Sequence, residues 1–174
     1  LLLSLSRNVC NGNHSILNGN WDRHKFIGSE LRAKSLGIIG LGKIGREVMQ
    51  RALGFNMKIL GFDPFINEEM LRTDEIELLD LDDLVGKSDF ITIHVPLTND
   101  TKNLFDYKML NKMKKEARII NVARGGIINE SDLAKILHEG NIGGAALDVF
   151  ENEPIESTNP LLSAPNLTVS YTHL

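Results

Sequence analysis

Residues Ser35 to Gly45 read SLGIIGLGKIG. Leu36 to Ile39 forms a short apolar run of strand character, and Lys43 to Leu53 carries helix-forming residues, with Ile44, Val48 and Leu53 expected to face inward. Between them Gly40, Gly42 and Gly45 make a GxGxxG turn. In such a turn the first glycine permits the tight reversal, the second lets backbone come against a pyrophosphate, and the third lets helix and strand pack closely. The phosphates then meet unpaired N–H groups at the helix start, where the helix dipole adds a favourable field. The alternative is a glycine-rich turn with no ligand.

Outward from this turn, strand-like and helix-like stretches alternate. Lys58 to Phe62 reads as the second strand, closed by Asp63 and Pro64, and strand, helix, strand is a right-handed βαβ unit. Short helices are expected over 68–71 and Leu81 to Val85, and a strand over Asp89 to Val95 ended by Pro96. Tyr107 to Met113 reads as a helix, Arg118 to Val122 as a strand, Ser131 to His138 as a helix and Ala145 to Val149 as a strand. Pro154, Pro160 and Pro165 mark an irregular connection, after which a last strand begins at Leu167. Five or more strands alternating with helices imply an α/β fold, a doubly wound parallel sheet.

Composition agrees with that reading. The chain has 174 residues, 42% hydrophobic and 24% charged, with 15 Gly, 5 Pro and one Cys, as an ordinary globular domain has. A disordered tail, a collagen-like fibre and a disulfide-stapled miniprotein are thereby excluded. The net charge is −4 and the 19 basic residues are scattered, so no nucleic-acid partner is expected. No apolar run approaches the roughly 20 residues of a membrane span, so no membrane partner is expected either. Cys10, alone in the chain, favours a reducing compartment, and the expected location is the cytoplasm. No His, Cys, Asp or Glu grouping has zinc-like spacing, so no metal is expected. The chain opens without Met, in a stretch where Leu1, Leu2, Leu5, Val9 and Ile16 read as the buried stripe of a helix over residues 1–20 already under way. That start reads as a cut edge.

Several side chains stand where chemistry would occur. Asp63 at a strand end can accept two hydrogen bonds from an adenosine ribose and would repel an added 2′-phosphate, which favours NAD over NADP. Its other reading is a turn opened with Pro64. Lys43, within the glycine loop, either helps neutralise phosphate or is a solvated first-turn residue. In NVARGG, Arg124 follows the strand that ends at Val122, and ligands in open α/β sheets bind beyond the carboxyl ends of strands. Its planar guanidinium suits the carboxylate of a 2-hydroxy or 2-oxo acid, although a structural salt bridge or cap fits its position equally. In ALDVFENEP, Asp148 ends another strand and Glu153 follows before Pro154; carboxylates there suit holding a nicotinamide ring or orienting an imidazole, or merely face water. His94 ends a strand and reads as a satisfied strand-end histidine, while His14, His24 and His138 read as surface residues.

GLGKIG, FDP, TIHVPLT, NVARGG and ALDVFENEP, in this order and spacing, resemble the D-isomer-specific 2-hydroxyacid dehydrogenases across almost the whole chain. Within that family WDRHKFIGSEL, Trp21 to Leu31, is most similar to the D-3-phosphoglycerate dehydrogenase branch, at the entry to L-serine synthesis. The resemblance implies a Rossmann-type NAD-binding domain inserted into a discontinuous substrate domain, with residues 1–168 forming that insert. It implies Gly40, Gly42, Lys43, Ile44 and Gly45 at the pyrophosphate, Asp63 at the adenosine ribose, Val95 and Val122 along the cofactor and Asp148 near the nicotinamide amide. Arg124 would bind the substrate carboxylate and Glu153 would pair with the catalytic histidine. Similar enzymes are dimers or higher homo-oligomers. The family's alternatives in substrate are glycerate, hydroxypyruvate or lactate, and its alternative in class is an NAD-sensing corepressor-like binding protein.

One place departs from the pattern. The family's histidine follows a proline six residues beyond an Asn such as Asn166, and Thr172 stands there, with His173 one place later. The terminal VSYTHL, residues 169–174, is also the translation of GTC TCT TAT ACA CAT CT, the end sequence of a transposon adapter used in DNA libraries. The expectation is that residues 169–174 are read-through, that His173 is not the base, and that the chain binds NAD yet catalyses nothing alone.

Overall fold

The computed structural model describes residues 1–67, 69 and 75–172. In chain order the elements are α1 (Leu2–Ser6), α2 (Val9–Leu17), β1 (Ser35–Ile39), α3 (Lys43–Leu53), β2 (Lys58–Phe62), β3 (Ile76–Leu78), α4 (Leu81–Lys87), β4 (Phe90–Ile93), α5 (Tyr107–Leu110), β5 (Arg118–Asn121), α6 (Glu130–Glu139), β6 (Gly144–Leu147) and β7 (Leu167–Val169). Single 3-10 turns cover Arg23–Phe26 and Pro160–Ser163.

Among the described residues the strands form one seven-stranded sheet in the order β3-β2-β1-β4-β5-β6-β7, parallel throughout. The chain winds outward from β1 in one direction and then, at β4, in the other, so the β1/β4 junction is the topological switch point where such sheets open a ligand crevice. Register brings the strand ends into line: Ile39 pairs with Phe62 and Ile93, Ile93 with Asn121, Asn121 with Leu147, and Leu147 with Val169. The residues that follow, among them Gly40, Asp63, His94, Val122 and Asp148, therefore emerge along one edge.

Both faces are covered, which is why the central strands read as continuous apolar runs. Leu36, Ile38, Ile59 and Ile120 pack against Leu5 of α1 and Met49 and Ala52 of α3. Ile39, Ile91, Ile93, Ile119 and Leu147 pack on the other face against Leu84 of α4, Leu110 of α5 and Leu133 and Leu137 of α6. Each Leu, Ile and Met side chain among them contributes about 1.5–3 kcal/mol on burial. Side-chain caps fix the helix starts: Asp80 accepts from Asp83 N, Asp106 from Met109 N and Asn129 from Asp132 N, at 2.8, 2.8 and 3.0 Å.

Three expectations are corrected. The leading helix is two helices, because Asn8 takes a left-handed conformation at φ +52°, which Asn tolerates. Only its first half docks: Leu5 is buried on the sheet side, whereas Val9 and Ile16 are half exposed. Ile44 does not face inward but is 67% exposed, since Gly45, Met49 and Ala52 are the residues α3 turns to the sheet. The helix from Tyr107 ends at Leu110, three residues early, and β3 was not anticipated at all. The helix expected over 68–71 lies, apart from Glu69, outside the described residues. β7 runs to Val169, which pairs with Leu147, and Ser170 N donates to Leu147 O at 2.9 Å.

Candidate nucleotide site at the carboxyl edge of the sheet

Two of the three loop glycines are required by the protein itself. Gly40 sits at φ +92°, and a Cβ there would lie 2.6 Å from His94 O and 2.9 Å from Val95 Cγ1. A Cβ on Gly45 would lie 2.0 Å from Gly40 O, so α3 can rest against the loop only without one. Gly42 differs: a Cβ there would meet nothing within 4 Å. What that position keeps clear is open space in front of the helix. The first bond of this helix runs from Arg46 N to Gly42 O, leaving the N–H groups of Lys43, Ile44 and Gly45 ahead of it. No side chain among the described residues caps them, and no acidic residue stands in the first turn. Uncapped donors beside cleared space form a cradle that suits a diphosphate. Lys43 is exposed beside it.

Across the loop, the half-buried Asp63 accepts from Leu41 N at 2.9 Å through Oδ2 and from Phe65 N at 3.0 Å through Oδ1. Both readings of this residue are therefore present in part. It opens the turn at Pro64, and it also ties the glycine loop to the end of β2.

Arg124 is held by a residue that the sequence reading passed over. Asn121, 2% exposed, accepts from Ala123 N at 3.0 Å and donates through Nδ2 to Arg124 O at 2.9 Å, folding the chain after β5 into a tight loop. The signal was available: an Asn ending the apolar run RIIN must find partners when buried. The Arg124 guanidinium is exposed, donates to Ala123 O at 2.6 Å, and has no carboxylate partner among the described residues. A Cβ on Gly125 would overlap Phe150 O at 1.8 Å, so this loop lies directly against the loop after β6. That second loop carries Glu153, whose Oε1 accepts from Phe150 N at 2.9 Å. The contact brings the Arg124 and Glu153 segments together.

Asp148 is buried, donates through its N–H to Asn121 O at 3.1 Å and accepts from Thr172 N at 3.0 Å. Val122 is 37% exposed at the same edge, while Val95 is half-buried against the α4–α6 face. His94 shares a 3.0 Å hydrogen bond with Thr92 Oγ1, and burial pushes its imidazole below the ordinary value. His173 lies outside the described residues.

With this geometry in view, the family profile described as the D-isomer specific 2-hydroxyacid dehydrogenase, NAD binding domain, matches residues 1–173. The chain belongs to this family. Among curated members, the D-3-phosphoglycerate dehydrogenase of Methanocaldococcus jannaschii is 46% identical over 96% of this chain and 32% of its own length. That of Bacillus subtilis is 42% identical over 100% of this chain and 33% of its own length. Among solved structures of like fold, the NAD-dependent formate dehydrogenase from Staphylococcus aureus in complex with NAD is 34% identical, with a TM-score of 0.91 over 99% of this chain and 52% of that one. The chain thus spans about a third of the length of the curated relatives it matches. As a 2-hydroxyacid dehydrogenase NAD-binding domain it has NAD as its cofactor, which agrees with a cleared cradle for a diphosphate and an acidic residue at the end of β2.

Proposed function

We propose that this chain is the NAD-binding portion of a D-3-phosphoglycerate dehydrogenase, an oxidoreductase that moves a hydride between NAD and a D-2-hydroxy acid and opens L-serine synthesis. The observation that carries the substrate is the agreement of curated relatives at 46% and 42% identity, both D-3-phosphoglycerate dehydrogenases. Their greater length supports reading residues 1–168 as one domain of a two-domain enzyme.

In this reading Gly40, Gly42, Lys43, Ile44 and Gly45 hold the diphosphate, Asp63 the adenosine ribose, Val95 and Val122 flank the cofactor, and Asp148 takes the nicotinamide amide. Bound NAD supplies the hydride acceptor. Arg124 grips the substrate carboxylate so that the carbon bearing the hydroxyl faces the ring, which suits an exposed guanidinium with no carboxylate partner among the described residues. Glu153 steadies the imidazolium of the histidine that takes the hydroxyl proton; a neighbouring carboxylate raises an imidazole pKa by on the order of one to three units.

The decisive experiments are two. Calorimetry with NADH at millimolar levels should give saturable heat from the folded chain, and none would refute the nucleotide reading. In the complete enzyme, Arg124→Ala should lower kcat/KM for 3-phosphoglycerate about a hundredfold, as loss of one charge-stabilising donor does. Faster turnover of glycerate, hydroxypyruvate or lactate would reassign the substrate, and turnover of none with NADH binding intact would favour a corepressor-like protein. Resequencing the source locus past Thr168 tests the origin of residues 169–174.

The proposed assembly is a homodimer. Support comes from Val9, Leu17, Trp21 and Ile27, which present apolar side chains 54%, 76%, 80% and 77% exposed around α2, a helix with no buried residue. The proposed location is the cytoplasm, supported by an unpaired Cys10. No helix among the described residues is long and apolar enough to cross a membrane.

A further inference from the structure

Alternation along β4 separates two sets of side chains. Ile91, Ile93 and Val95 pack into the core on the α4–α6 face, so Thr92 and His94 project from the opposite face, where α3 lies. The 3.0 Å contact between Thr92 Oγ1 and His94 Nε2 agrees with that placement. On β5, Ala123 packs toward the α4–α6 face and Val122 turns the other way; on β6, Leu147 packs there and Asp148 turns away. The ladder continues past the strand ends, through His94 N to Ile39 O at 2.7 Å and Asp148 N to Asn121 O at 3.1 Å. His94, Val122 and Asp148 therefore stand side by side on the face that also carries the start of α3, with His94 next to Gly40.

Thr92 is 6% exposed, and among the described residues its hydroxyl has only His94 as partner. The tautomer that pairs this buried hydroxyl hydrogen has Thr92 Oγ1 donating to Nε2 and the ring hydrogen on Nδ1. No fully buried side-chain nitrogen or oxygen lacks a partner among the described residues, so Nδ1, which has none among them, keeps some exposure to solvent. A second ring proton would leave the buried Thr92 hydroxyl without an acceptor, which together with burial keeps the imidazole neutral.

We propose that His94 is a further cofactor-binding residue, donating a hydrogen bond from Nδ1–H to a ribose or phosphate oxygen of the bound dinucleotide between the glycine loop and Asp148. The proposal rests on reading this edge as the NAD site. An Asn side chain places an N–H donor where His Nδ1 stands, whereas Leu has none, and both remove the acceptor of Thr92. His94→Leu should weaken NADH binding to the chain about five- to tenfold, and His94→Asn should stay within about twofold of the unsubstituted chain, at a similar loss of unfolding temperature in both. Nitrogen-15 spectra of the unsubstituted chain supply a reading that needs no variant to fold. Nδ1 should resonate as a protonated ring nitrogen and shift when NADH is added. Equal affinity loss in both variants, no loss in either, or an Nδ1 signal unmoved by NADH would overturn the role of His94 alone. Failure of the unsubstituted chain to bind NADH would overturn the nucleotide reading itself, and this proposal with it.

Discussion

Asp63 does structural work before any ligand arrives. Its two oxygens accept from Leu41 N and Phe65 N, so one carboxylate fixes both the glycine loop and the turn after β2. In the proposed complex the same group must also meet a ribose, and a carboxylate has lone-pair positions left for it. Asp63→Ala should therefore lower stability by about 1 kcal/mol and weaken NADH binding about tenfold, the two losses arising from different hydrogen bonds. Thermal unfolding and calorimetry on the same sample separate them. A variant that lost stability and kept its affinity would reduce Asp63 to its turn. At this scale the glycine motif, Asp63 and Arg124 were legible because local chemistry singles them out. Asn121 was not, because its importance lies in being buried with two backbone partners.

Elements position these residues, and the loop after β5 shows how. Asn121 ends β5 at 2% exposure, and its amide turns the chain so that Arg124 stands at the edge. Asn121→Leu would leave Ala123 N and Arg124 O without partners, at a cost of about 1–3 kcal/mol. In the complete enzyme it should raise KM for the acid substrate more than it alters NADH affinity. Urea unfolding checks the first expectation and steady-state kinetics the second. Among the elements, long apolar runs such as β1 and β4 were legible from sequence. β3 was not, since three residues, of which only Ile76 and Leu78 are partly buried, carry too short a pattern, and the helix at Tyr107 ends early because the bonds beyond it close to the third residue back, Lys112 N to Met109 O and Met113 N to Leu110 O. Ile44 looked like a core residue by type, yet packing of Gly45 against Gly40 rotates it into solvent beside the cradle.

At the level of the whole molecule, two titrating groups tie stability to pH. Burial by itself pushes the Asp89 carboxyl up, but donors from Ser35 N at 2.8 Å, Lys114 Nζ at 2.9 Å and Ser35 Oγ at 2.9 Å outweigh it and hold the group below its ordinary value of 3.8. A lowered folded value means the unfolded chain binds the proton more readily, so this contribution is present above 3.8 and lost as pH falls through the folded value. His94 is also lowered, by burial, from 6.5; its contribution is complete above 6.5 and declines below it. The unfolding temperature should thus fall in two stages on acidification, the upper one absent in His94→Asn and the lower one in Asp89→Asn. A titration of unfolding temperature in which neither variant changes its own stage would contradict both assignments. The apolar face around α2 belongs to this scale too. Trp21→Glu with Leu17→Glu should shift the protein toward monomer in sedimentation, without loss of NADH binding.

The amino-acid order was enough to settle the alternation of strands and helices, the glycine turn and the residues that follow each strand, because propensity, periodicity and turn chemistry act over a few neighbours. Folding in three dimensions decided the rest. Strand register lined up Gly40, Asp63, His94, Val122 and Asp148 on one edge, and the pleat put His94 rather than Val95 on the face of α3. Those outcomes depend on which distant strands pair and which helix covers each face, contacts between residues far apart in the chain that no local pattern specifies.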